Sequence, residues 1–196
     1  MNSESEIALE LLSRLLAGER GEVPSQLAKL LERSSPLDAG DDFYRLTLPP
    51  NLAKVRFSPE TRDELIATLC TEISRNPDEA FISAISFTGI DLATKSVAMA
   101  LVNPPRPLTI SEYSYALSLV AKFLPDRLAE DPEFLPKADL ERLVQVVKQL
   151  QDLKAGDDAA ERAVLNGTKI IAERFLKELK EVENGEWTVE DSPRGD

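Results

Sequence analysis

Thr109-Ile110-Ser111-Glu112 opens a run in which Tyr113, Ala116, Leu117, Val120 and Leu124 recur at helical spacing, and this stretch decides the fold class. A threonine followed three residues later by glutamate is a capping box: the hydroxyl accepts from the N–H three residues on, and the carboxylate reaches back to the threonine N–H. Leu108 and Tyr113 bracket the box at the spacing of a hydrophobic staple. The apolar positions that follow lie on one side of a helix of 3.6 residues per turn.

The same grammar extends in both directions. Ser58-Pro59-Glu60 puts a capping hydroxyl before a proline at the first helical position, where its missing N–H costs nothing. Leu65, Ile66, Leu69 and Ile73 then share one face to about Arg75, and Cys70 among them reads as a small packed hydrophobe. Asn76-Pro77-Asp78-Glu79 repeats the device, with Asn76 as the expected cap and Glu79 reaching back to it. The stretch Leu92 to Val102 is apolar nearly all round, which predicts a central helix, with Phe81, Ala84 and Ile85 facing it from the preceding one. Leu140, Leu143, Val144, Val147 and Leu150 trace another stripe. From Asp157 to about Val182 runs the longest helix, with Val164, Ile171 and Phe175 on one face and Gly167 as a point of close approach for a neighbour. At the amino end, Ile7, Leu11, Leu12 and Leu15 form one stripe and Leu27, Leu30 and Leu31 a second, punctuated by Gly18 and Gly21.

These segments predict an all-α protein of about eight helices, one helical domain over residues 1–183. Two stretches break the pattern. In residues 36–57, Phe43-Tyr44-Arg45-Leu46-Thr47-Leu48 alternates weakly before Pro49-Pro50, which predicts an extended arm or hairpin near 43–57. Residues 184–196 combine Gly, Pro and charge and read as a disordered acidic tail, with Trp187 conspicuous in it. Helix, turn, helix in units of thirty to forty-five residues resembles the layout of stacked repeats of the HEAT type. No residue signature recurs between the units, so an irregular bundle is the alternative arrangement.

Composition then narrows function. With 23 basic against 35 acidic residues the net charge is −12, distributed as −2 over residues 1–58, −6 over 59–136 and −4 over 137–196. No third of the chain is basic, so neither a nucleic-acid backbone nor an anionic membrane is an expected partner. A lone cysteine excludes an internal disulfide, and the acidic opening Met1-Asn2-Ser3-Glu4-Ser5-Glu6 lacks the basic and apolar pattern of a leader, which points to the cytoplasm. The absence of histidine removes Ser-His-acid and Cys-His catalysis and histidine-ligated metals; one cysteine removes thiolate zinc and iron–sulfur sites. None of the eight glycines stands in a phosphate-binding loop.

Enzymatic chemistry would therefore rest on carboxylates, with a hard cation such as Mg²⁺. Asp157-Asp158-Ala159-Ala160-Glu161 is the candidate metal cluster, since acids at i, i+1 and i+4 can share a helix face. Its run resembles the aspartate-rich motif of isoprenoid-synthase-like proteins, but a second such motif is missing. Glu60-x-x-Asp63 and Glu178-x-x-Glu181 are similar to the paired strings of all-α nucleotide pyrophosphohydrolases, whose activity would imply facing helices. A simpler reading makes Asp157 and Asp158 caps of the helix that follows Gly156. Pro104-Pro105-Arg106-Pro107 fits the P-x-x-P pattern and also a rigid connector between helices.

The expectation is a non-catalytic helical protein-binding module, a scaffold, adaptor or antagonist of a basic partner, without a cofactor and with self-association open to it. Phe43, Tyr44, Phe57 and Trp187 are its candidate contact residues. A Mg²⁺-dependent phosphate or diphosphate hydrolase using clustered carboxylates is the alternative.

Overall fold

The capping box at Thr109 is formed. The Thr109 hydroxyl accepts from the Glu112 N–H at 3.2 Å, and the Glu112 carboxylate accepts from the Thr109 N–H at 2.8 Å. In the computed structural model, which describes residues 4–34, 59–86, 90–154 and 156–187, this box starts the central helix of an all-helical fold. The expected arm at 36–57 lies outside the described residues.

Eight helices are present among the described residues, and no strand: α1 (Glu4–Leu16), α2 (Val23–Ser34), α3 (Pro59–Arg75), α4 (Glu79–Ile85), α5 (Asp91–Val102), α6 (Ile110–Glu130), α7 (Lys137–Asp152) and α8 (Ala159–Glu183). Their substantial contacts follow one rule. Sequence neighbours pair as α1 with α2, α3 with α4, α5 with α6 and α7 with α8; odd helices then touch the next odd helix, and even helices the next even one. Four helical pairs are thus stacked in two layers, α1-α3-α5-α7 and α2-α4-α6-α8, and the most extensive contact is α6 against α8. The helices thus pack against each other in a helical bundle whose contacts follow the order of paired neighbours.

One continuous core joins the layers, drawing Leu15, Leu27, Leu69, Ile82, Val97, Leu117, Val147 and Phe175 from the eight helices in turn. The stripes anticipated in α3, α6 and α7 are its contributors: Leu65, Ile66, Leu69, Ile73, Ala116, Leu117, Val120, Leu124, Leu143, Val147 and Leu150 are all buried. Cys70 is buried with them, and burial pushes its thiol pKa up. In α1 the stripe is shifted, since Ala8 is inside and Ile7 is 40% exposed.

Three local expectations are corrected. The cap before α4 is Asp78, whose Oδ1 accepts from the Ala80 N–H at 2.8 Å, while Asn76 accepts from Arg106 Nε at 2.9 Å. Asp78 is better placed because it also pairs with Arg20, so one carboxylate serves a helix end and a neighbouring pair. Helix α4 has no substantial contact with α5; Phe81, Ala84 and Ile85 belong to the even layer, where α4 packs on α2 and α6 as well as on its partner α3. Gly167 is exposed with open space where a side chain would stand, so no neighbour uses it for close approach, and nothing in the structure explains the glycine.

Two glycines do have a backbone role. Gly18 (φ +93°) and Gly185 (φ +69°) end α1 and α8 in left-handed geometry, and the pairs of bonds from Gly18 N to Leu15 O with Glu19 N to Arg14 O, and from Gly185 N to Val182 O with Glu186 N to Glu181 O, are Schellman closures. After the second closure the chain turns back along α8 as far as Trp187. Residues 188–196 lie outside the described residues.

Candidate interaction surface

Stacking in pairs brings the amino ends of α2, α4 and α6 to one edge of the even layer, and an open groove of 690 Å³ lies across them. Its frame consists of two arginine clamps. Arg20, in the turn between α1 and α2, donates through Nη2 to Asp78 Oδ2 at 3.0 Å and through Nη1 to the carbonyl oxygens of Leu15 and Glu19, with its guanidinium 5.5 Å from the centre of the Phe81 ring. Arg106, in the connector to α6, holds Glu112 through both terminal nitrogens at 2.8 and 2.6 Å. Together they tie three successive pairs at their ends.

Glu112 is the buried member of this frame, at 7% exposure. Its hydrogen-bonded pairing with Arg106 holds the carboxyl below the usual glutamate range, with help from the Thr109 N–H and hydroxyl and against the opposing effect of burial. The connector reading of Pro104-Pro105-Arg106-Pro107 agrees with its position between α5 and α6. Among the described residues, Asp78, Glu79 and Glu112 line the groove with Arg20, and Arg106 meets Glu112 from behind, with hydroxyls from Ser25, Ser83, Thr109, Ser111 and Tyr115 around them. Tyr115 is 47% exposed. Such a surface can receive cations and hydrogen-bond donors; among the described residues it holds no nucleophile with an activating neighbour.

The residues singled out from sequence are distributed elsewhere. Phe43, Tyr44 and Phe57 lie outside the described residues. Trp187 is half-buried on its own protein, its indole N–H donating to Asp126 Oδ1 of α6 at 3.2 Å and its backbone N–H to the Glu181 carbonyl. Asp157, Asp158 and Glu161 are all exposed, and Asp158 is the cap of α8, its Oδ1 accepting from the Ala160 N–H at 2.7 Å. Among the described residues no group of three acids or cysteines is placed to hold a metal ion. The two pyrophosphohydrolase-like strings fall on α3 and α8, which share no substantial contact, so they do not face one another. Glu178 is buried against α6, and loss of solvent there raises its pKa, with Arg174 acting in the opposite sense. Among the described residues no helix is long and apolar enough to cross a membrane.

Sequence reading did not find the groove, although two of its three rims were recognised as helix starts. The signal available was that every second start in a paired layout returns to the same edge. Comparison with known proteins yields no further guide: no family model matches the chain, and neither a curated protein nor a solved structure does.

Proposed function

We propose that this chain is a non-catalytic helical scaffold or adaptor that binds another protein, taking a basic, hydrogen-bonding segment of that partner into the groove across α2, α4 and α6. The observation that carries the reading is the charge the groove leaves over: Arg20 and Arg106 balance Asp78 and Glu112 within the frame, and exposed Glu79 with the surrounding hydroxyls remains to meet a partner. Fixed frames of this kind bind without reordering, which lowers the entropic cost of association. A partner that works through a cationic surface would be blocked by such occupancy, so the antagonist role belongs to the same reading. A cytoplasmic location accords with a lone, buried cysteine.

Cross-linking in the native cell, with the linked peptides identified by mass spectrometry, tests this directly. Cross-links should join the groove edges to lysine- or arginine-rich segments, binding should weaken steeply with added salt, and Glu79→Lys with Tyr115→Ala should abolish it. Flat salt dependence, or a groove variant that binds as well as the unaltered chain, overturns the proposal.

A further inference from the structure

Two carboxyl groups are buried where α6 meets α8. Asp126 of α6 is 2% exposed and Glu178 of α8 is 7% exposed, and the groove across α2, α4 and α6 uses neither. Acids gathered out of water disfavour one another's ionised form. The charged groups that act on Glu178 are Arg174, Glu181 and Lys177 on its own helix and Asp126 from α6; α7, which also packs on α8, supplies none among the described residues. Compensation by the cations is slight. Arg174 Nε stands 3.4 Å from Glu178 Oε1 with its side chain 53% exposed, and Lys177 is held by Glu181 at 3.3 Å. Loss of solvent prevails, and the Glu178 pKa is raised. The segment after α8 lies on the same cluster: Gly185 reverses the backbone, the Glu186 and Trp187 N–H groups both donate to the Glu181 carbonyl, and the Trp187 indole N–H donates to Asp126 Oδ1 at 3.2 Å. A short segment seated through one half-buried ring belongs to the weak end of local stability.

We propose that Glu178 is a proton-operated catch on this segment. With its carboxyl neutral, Gly185 to Trp187 lies closed on α6; with the carboxyl ionised, Trp187 leaves Asp126 and water reaches both acids. The closed state favours the neutral form of Glu178, and the open state, where the group is hydrated, restores its ordinary ionisation. Closure therefore has its full advantage below the ordinary glutamate value of about 4.3 and loses it as pH rises through the raised one. The indole is thus seated on its own protein or offered to solvent according to pH. The catch uses neither the groove across α2, α4 and α6 nor its partner, so each reading can fail without the other.

Because Trp187 is the single tryptophan of the chain, its fluorescence reports the catch in the full-length protein without a label. From mildly acid to mildly alkaline pH, the emission is expected to move to longer wavelength and its quenching by acrylamide to rise, with a midpoint above the ordinary glutamate value and an unchanged helical circular dichroism spectrum. Glu178→Gln, which cannot ionise, should hold the short-wavelength emission over the whole range. Asp126→Asn keeps an oxygen that can accept from the indole N–H but removes the like charge, so its midpoint should move to lower pH. Emission that does not change with pH, a transition that persists in Glu178→Gln, a midpoint that Asp126→Asn leaves in place, or a change that comes only with loss of helix each overturns the proposal.

Discussion

Two buried threonines show how little separates a satisfied residue from a costly one. Thr168 in α8 donates its hydroxyl to the Val164 carbonyl one turn back at 2.8 Å. Thr94 in α5 is equally inaccessible, yet its Oγ1 has no hydrogen-bond partner among the described residues. An unpaired buried hydroxyl costs about 1–3 kcal/mol, and replacing it by a methyl of the same shape removes the cost. Thr94→Val is therefore expected to raise unfolding stability by about 1 kcal/mol in urea titration, whereas the same change at Thr168 should bring no gain. Sequence distinguished neither residue, because both occupy core positions of helical stripes and only the surroundings decide whether the hydroxyl is paired.

At the level of the element, α6 owes its start to a carboxylate that works in two directions. Glu112 closes the capping box on Thr109 and accepts both terminal nitrogens of Arg106, which anchors the preceding connector to the helix. Glu112→Gln should cost about 2 kcal/mol at neutral pH, the scale of a hydrogen-bonded charged contact. The sign of its pH dependence follows from the lowered pKa: the folded state prefers the ionised carboxylate, so the stabilisation is complete above the ordinary glutamate value and fades as pH falls through the depressed one. Stability measured for wild type and Glu112→Gln should accordingly converge as pH is lowered from about 4.3. A gap that stays constant to lower pH would show that the charge is not the source. The box itself was legible from four residues, because its partners are local. Arg106 as the second partner was not, and neither was the displacement of the cap before α4 from Asn76 to Asp78, which depends on Arg20 arriving from another pair.

Across the whole molecule, the contact of α6 with α8 is the widest joint in the stack, and Phe175 is fully buried in the core that spans it. Phe175→Ala should destabilise by about 3–5 kcal/mol, the range for removing a buried aromatic side chain, read as a lower midpoint in chemical denaturation. Since the substantial contacts of each pair among the described residues are with its neighbours, hydrogen exchange in this variant should quicken most in α6 to α8 and least in α1 and α2. Equal acceleration everywhere would mean that the stack unfolds as one unit.

What the sequence determined by itself is most of what neighbours within a turn or two govern: the all-helical class, the stripes that became the core, the helix starts at Pro59 and Thr109, the break at Gly18 and the capping role of Asp158. It also excluded histidine and thiolate chemistry by composition alone. Only the tertiary structure decided that the helices stack as four pairs in two layers, that the ends of alternate helices gather at one groove, that Phe81 serves the even layer, and that Trp187 folds back onto Asp126. These depend on which faces meet across gaps of tens of residues. Helical periodicity states that a face is apolar without stating what covers it.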